Sequence, residues 1–201
     1  MKMTSEMRKN RPKRQNIFSV KRTLSIILVF FLFLKTDIAF CEFEEYELKA
    51  VYLERITRFL EWPDETQNTR ADDLFVIGIL GENPFGRKLE DLYAGRGIKN
   101  KPIKVYYLSE LREIERVHLL FVSRSESEEL SQILDITRKK PILTVGDTRG
   151  FAEKGGLVNF FIESDKLRFE INERGFHEAG LVIDPLLLKV AKIVNTPGDD
   201  R

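Results

Sequence analysis

The sequence has little of what most enzymes use. It holds one cysteine, Cys41, two histidines, His118 and His177, and one tryptophan, Trp62. A single thiol forms no internal disulfide, so stability has to come from a buried core, which about 160 residues can supply. The two histidines lie in different predicted elements with no Cys or H-x-x-x-H partner. A zinc site needs three or four converging N, S or O ligands, so no metal and no cofactor is expected. His118, in an apolar strand, reads as a hydrogen-bonded core histidine. No G-x-S-x-G elbow is present. Ser123 and Ser125 follow a strand, where serine usually makes a turn or caps a helix. Asp72-Asp73 precede a strand rather than ending one, and Ser-Arg follows Val122 where a phosphoreceiver would carry its aspartate. The stretch Gly81 to Lys88 has glycines five apart, yet Arg87 and Lys88 stand where a phosphate loop needs Lys and Ser/Thr. No catalytic set emerges, and no enzyme is expected.

A long apolar run is missing too. Residues 24–34 are apolar but shorter than the ~20 residues needed to span a bilayer. They follow a basic segment carrying Arg8, Lys9, Arg11, Lys13, Arg14, Lys21 and Arg22, and Lys35 and Asp37 close them. This order predicts a cleaved secretory signal over residues 1–41, with the cut after Ala39-Phe40-Cys41. Lipidation of Cys41 is the rival, disfavoured because Phe40 stands where a lipobox takes Gly or Ala. The expected location is the periplasm. The whole chain has 33 basic and 32 acidic residues, of which residues 1–41 hold 9 and 2. That leaves 24 against 30, a net charge of −6, with no Arg/Lys stripe. Such a charge makes the mature chain a poor candidate for binding nucleic acid or anionic membranes, and no nucleic-acid partner is expected.

What is present is an alternation of apolar strands and helices. Glu42 to Leu60 carries Leu48, Val51, Tyr52, Ile56, Phe59 and Leu60 at helical spacing, and Trp62-Pro63 ends it. Strands are predicted over 74–80, 103–108, 117–122 and 142–145. Helices fall between them at Asn83–Tyr93, with Asn83 as cap and Pro84 in the first turn, and at 125–139. Two further strands, 157–162 and 166–171, join through a tight Glu163-Ser164-Asp165 turn. A short helix follows at 172–179, stopped by Gly180, and then a final helix over Pro185–Val194. The fold class is α/β: a single three-layer α/β/α domain over 42–194, its sheet largely parallel with a C-terminal antiparallel hairpin. Residues 195–201 read as a flexible tail.

The candidate binding residues are Arg58, Trp62, Asp147, Phe151, Arg168, Glu170 and Asn172. Asp147 ends a core strand, where open α/β sheets place ligand crevices, although an aspartate there also serves to hold the Thr148-Arg149-Gly150 turn. Arg168 to Asn172 alternates, which turns Phe169 and Ile171 inward and sends Arg168, Glu170 and Asn172 to the other face. That face is either solvated, with an Arg168–Glu170 pair, or a polar ledge for recognition. Trp62 is either core packing or, with Arg58 one turn upstream, an aromatic–cation anchor for a partner.

The ordered motifs resemble one family. They are Lys49-Ala50 with Phe59 and Trp62-Pro63, Gly81 with Pro84-Phe85-Gly86, Leu119–Val122, and Pro141 to Asp147. Gly150-Phe151-Ala152, Gly155-Gly156, Arg168 to Asn172, and Leu186-Leu187-Leu188 complete the set. Together, from Glu45 to Val194, they resemble the YfiR-like periplasmic regulators. Asp184-Pro185 stand where relatives favour serines, and the mature cysteines of some relatives are missing. The resemblance implies a non-enzymatic regulator in cyclic-di-GMP signalling, often a homodimer. Its implied role is to bind and restrain the periplasmic domain of an inner-membrane diguanylate cyclase or sensor kinase. It also implies that a small molecule can occupy a polar pocket near Arg168–Asn172. A periplasmic small-ligand sensor without a fixed membrane partner is the alternative.

Overall fold

Four short apolar segments form the centre of the molecule: β2 (Phe75–Leu80), β5 (Leu119–Val122), β6 (Leu143–Gly146) and β7 (Val158–Glu163). The first three are buried along their whole length, as strands covered on both faces must be. The structure, a computed structural model, describes residues 44–63 and 74–194. The predicted signal and the predicted tail from 195 lie outside the described residues.

The remaining elements follow in chain order. Helix α1 covers residues 44–58, then come β1 (Leu60–Glu61), α2 (Lys88–Tyr93), β3 (Gly97–Ile98) and β4 (Lys101–Leu108). A 3-10 turn at Leu111–Arg116 precedes β5, and another at Arg124–Glu126 precedes α3 (Leu130–Thr137). The antiparallel partner of β7 is β8 (Lys166–Ile171), followed by α4 (Glu173–Glu178), β9 (Val182–Ile183), α5 (Pro185–Leu188) and β10 (Lys192–Ile193).

The main sheet runs β10-β8-β7-β6-β5-β2-β4-β3. Pairing is parallel from β7 through β6, β5 and β2 to β4, and antiparallel in β7–β8 and in β3–β4. The α/β class and the C-terminal hairpin are therefore as the sequence predicts. A separate two-stranded sheet pairs β1 with β9, Leu60 opposite Ile183.

Two apolar clusters lie on the two faces of the sheet. One gathers Ala50, Leu53 and Ile56 of α1 with Leu89 of α2, Phe85 and the inward residues of the strands. The other gathers Leu130, Ile133 and Leu134 of α3 with Ile114, Val117 and Phe151. His118 is buried, accepts the Val76 N–H on its Nδ1 at 3.0 Å and stacks on Phe75, which fits the predicted core role.

Four local expectations need correction. The buried face of α1 is Tyr46, Lys49, Ala50, Leu53 and Ile56, whereas Leu48 and Phe59 are exposed. The apolar count had left out Lys49, a charge that turns out to be wholly buried. Asn83 caps a turn instead of a helix: its Oδ1 accepts from Phe85 N–H and its Nδ2 donates to Gly86 O, so α2 begins only at Lys88. The predicted helix at 125–139 opens as a 3-10 turn and becomes α-helical only from Leu130. The predicted final helix stops at Leu188, and β10 then adds a parallel strand beside β8, Lys192 opposite Glu170.

Candidate functional site

One turn of α1 projects Glu45, Tyr46 and Lys49 toward the carboxyl end of β6, where Asp147 begins the next loop. Lys49 Nζ lies 2.5 Å from Asp147 Oδ2, and the Tyr46 hydroxyl donates to the same oxygen at 2.7 Å. Arg124, in the turn after β5, brings Nη2 to 3.1 Å from that oxygen, and its Nε donates to the Asp147 carbonyl at 3.4 Å. Glu45 completes the group, paired with Lys49 and 3.7 Å from Arg124. The Lys49 side chain is 0% exposed and that of Asp147 is 1% exposed. Charges survive such burial only when they are paired and hydrogen-bonded, and here two cations face two carboxylates. The Tyr46 phenol is pushed well above its usual range, first by burial and then by the Asp147 carboxylate it donates to. Asp147 Oδ1 is buried and has no hydrogen-bond partner among the described residues.

The cluster forms one end of a cleft of about 530 Å³, lined further by Arg149, Glu153, Asn159, Glu170 and Lys192. The β7–β8 register sets Asn159 opposite Glu170, and the Asn159 Nδ2 donates to Glu170 Oε2 at 3.0 Å. Lys192 Nζ reaches Glu170 Oε1 at 2.8 Å, which raises the Lys192 pKa, the hydrogen bond being the largest cause. Asn159 Oδ1, like Asp147 Oδ1, is buried without a partner. The cleft therefore holds buried acceptor oxygens at both ends, between arginine and lysine side chains.

Of the predicted site residues, Asp147 and Glu170 meet in this cleft. Asp147 does so through the α1 cluster and Arg124, not by the turn-holding use weighed from sequence. Glu170 is only 7% exposed and bonds Asn159 and Lys192, so neither a solvated face nor an Arg168–Glu170 pair is formed. Arg168 is half exposed, its Nε 4.0 Å from Glu163. Asn172 is buried; it caps α4 by accepting the Gly175 N–H and donates to Ala152 O, which are structural tasks. Phe151 is wholly buried, its ring so close to Gly146 and Gly156 that a Cβ on Gly156 would fall 2.1 Å from it. Trp62 is a core residue, edge-on to Phe75 at 5.3 Å, while the Arg58 guanidinium turns to Glu54, its Nε 2.7 Å from Oε1. The sequence reading missed Glu45, Tyr46, Lys49, Arg124, Asn159 and Lys192. The available signal was Glu45 and Lys49 four residues apart, which resembles an ordinary exposed helix pair.

Among the described residues, no group of three or more His, Cys, Asp or Glu side chains could hold a metal, and no helix is long and apolar enough to cross a membrane. Fold and site define an α/β domain with a charged cleft at the carboxyl end of β6. Residues 46–192 match the family described as YfiR/HmsC-like, and the chain belongs to that family. It is a regulatory, non-catalytic family of the periplasm. No curated protein matches. Among solved structures, a Streptococcus pneumonia ABC domain in complex with L-Trp is 16% identical, with a TM-score of 0.44, over 65% of this chain and 58% of that one. A Vibrio cholerae conserved domain protein is 9% identical, with a TM-score of 0.44, over 66% and 58%. A Pyrococcus horikoshii protein of unknown function is 19% identical, with a TM-score of 0.29, over 51% and 48%. The chain thus spans about half to three fifths of each of these proteins, at scores too low to assign a shared fold.

Proposed function

We propose that this protein is a periplasmic regulator that binds and restrains the periplasmic domain of a membrane diguanylate cyclase or sensor kinase. The observation that carries this reading is the YfiR/HmsC-like match, which spans nearly all of the described domain. Such a protein acts by binding the signalling-on and signalling-off states of its partner with different affinity. Residues 1–41 export it and are removed, so the mature N-terminus falls after Cys41. Intact mass and N-terminal sequencing of the exported protein check that step. In-cell crosslinking of the tagged, exported chain tests the main reading. Capture of an inner-membrane protein with a periplasmic sensor domain and a cytoplasmic cyclase or kinase is the expected result. Recovery of the chain alone counts against it.

A second reading, small-ligand sensing, is favoured by the cleft. Asp147 Oδ1 and Asn159 Oδ1 are buried acceptors with no partner among the described residues, which suits a ligand that donates hydrogen bonds. A ligand-dependent rise in Tm that is lost in Asn159→Ala supports it. A rise unaffected by that substitution places the ligand elsewhere.

A further inference from the structure

A second cavity lies toward the amino end of β6, away from the cleft and sharing no lining residue with it. It holds about 190 Å³ between the end of α3, α4 and the segment 155–157 that leads into β7. Drug-sized pockets start near ~300 Å³, so this one suits a ligand of few heavy atoms. Arg138 and Lys139, which follow α3, and Arg174 of α4 line it with a single carboxylate, Glu178. Three cations against one carboxylate leave a local net charge of +2. The mature chain as a whole is expected to be acidic. Both arginines are held in place: Arg138 Nη2 is 3.5 Å from Asp135 Oδ1, and Arg174 Nε is 2.9 Å from Glu178 Oε1.

Two further observations set the cavity apart from a gap beside surface charges. The first is Thr144, which lines it and is 2% exposed. Its Oγ1 accepts the Leu157 N–H at 3.0 Å, and no acceptor among the described residues takes its own proton. A buried hydroxyl ordinarily gives its proton to a partner, so this donor suits a ligand that accepts. The second is Lys139, one position beyond the α3 C-cap Arg138, with φ of 60°. That left-handed backbone normally goes to Gly or Asn, because a Cβ is costly there. A lysine accepts the cost and adds a cation beside the cavity, and strain of this kind gathers at functional sites. The carbonyls at the end of α3 would oppose an anion if left open. Those of Leu134 and Thr137 are already taken, by the Arg138 and Lys140 N–H groups.

We propose that this cavity binds a small oxyanion, inorganic phosphate or a short dicarboxylate, with Arg138, Lys139 and Arg174 around it and the Thr144 hydroxyl donating from its floor. Charge-assisted hydrogen bonds from arginine and lysine to an oxyanion are about twice as strong as neutral ones. A cationic ligand would meet three like charges, and an apolar one would leave the Thr144 proton unmatched. The site stands apart from the regulatory reading and from the cleft, since it uses none of the residues named for either.

The test is the Tm of the purified, exported protein against inorganic phosphate and, separately, succinate, with sodium chloride holding ionic strength constant. Titration calorimetry supplies the Kd. A saturable rise in Tm is expected with at least one of the two anions. Saturation by phosphate alone assigns a tetrahedral oxyanion, and saturation by succinate alone assigns a dicarboxylate. Lys139→Gly should raise the Tm of the ligand-free protein, because glycine is at ease at that φ, and should weaken binding about tenfold or more. A lysine with only a structural place would change the first and not the second. Arg138→Gln combined with Arg174→Gln, both at half-exposed positions, should keep the fold and abolish the response. No saturable rise with either anion overturns the proposal, as does binding that both variants leave unchanged.

Discussion

The two ends of the cleft each set a lysine against a carboxylate, and the two pairs differ in burial. At the α1 end, Lys49 holds Asp147 with both side chains removed from solvent. At the β8 end, Lys192 holds Glu170 with the lysine side chain 59% exposed. The Lys–carboxylate distances, 2.5 and 2.8 Å, are nearly the same. Burial makes the difference, because a sealed charge that loses its partner cannot be rescued by water, whereas an exposed one can. The same geometry is thus structural at one end of the cleft and adjustable at the other.

The largest effect should come from Lys49→Ala, which leaves the Asp147 and Glu45 carboxylates short of a cation. A loss of about 3–5 kcal/mol is expected in denaturant unfolding. A loss below about 1 kcal/mol would mean that the cluster is already solvated and the two ends are alike. Lys49→Met combined with Asp147→Leu removes both buried charges and should recover most of that loss, since hydrophobic replacement of a buried pair is often neutral or better. If the double variant is as unstable as the single one, packing and not charge sets the cost.

Tyr46 gives a pH handle on the buried end. Its folded pKa lies above its unfolded value of about 10, so its neutral form is the one the fold favours. That contribution is complete below pH ~10 and is lost as the pH climbs through the folded value. Tyr93, whose hydroxyl donates to Ala50 O, and Lys192 also have raised pKa values and lose stability in the same direction. Tyr46→Phe should therefore cost about 1 kcal/mol at pH 7 and flatten, without abolishing, the fall in stability above pH ~10. An alkaline limb unchanged by the substitution would show that the Tyr46–Asp147 contact is not maintained.

At the exposed end the effects shrink. Lys192→Ala should cost less than about 1 kcal/mol, and that loss should diminish in high salt, because Asn159 still serves Glu170. Arg168→Ala, which removes an ion pair to Glu163 at 4.0 Å, should fall within about 0.5 kcal/mol of wild type. A larger loss at either position would erase the distinction between the two ends.

Much of the fold was legible in the sequence because it rests on local signals. β2, β5 and β6 are continuous apolar runs, and the turn at Ser164-Asp165, both at positive φ, announces the β7–β8 hairpin. The ordered motifs along the chain carried the family resemblance that the match over residues 46–192 bears out. The site was less legible. Asp147 and Glu170 stood out by position, but Trp62 and Phe151 pack in the core and Asn172 caps α4. Lys49 belongs to the motif set but was not read as a site residue, because periodicity counts apolar residues and a lysine on the inner face of a helix reads as an interruption.

By itself, then, the sequence determined which segments become strands and helices, since hydrophobic period and turn chemistry act over a few residues. It also determined that no catalytic constellation or metal cluster would be expected. Only the tertiary structure decided which charges are buried. Lys49 and Asp147 lie 98 positions apart and meet because α1 crosses the carboxyl end of β6. Only the sheet order decided that β10 would flank Glu170 and that β3 would pair with Lys101 and Pro102 of β4. Burial and strand pairing are properties of what the chain places beside a residue, and no local pattern encodes them.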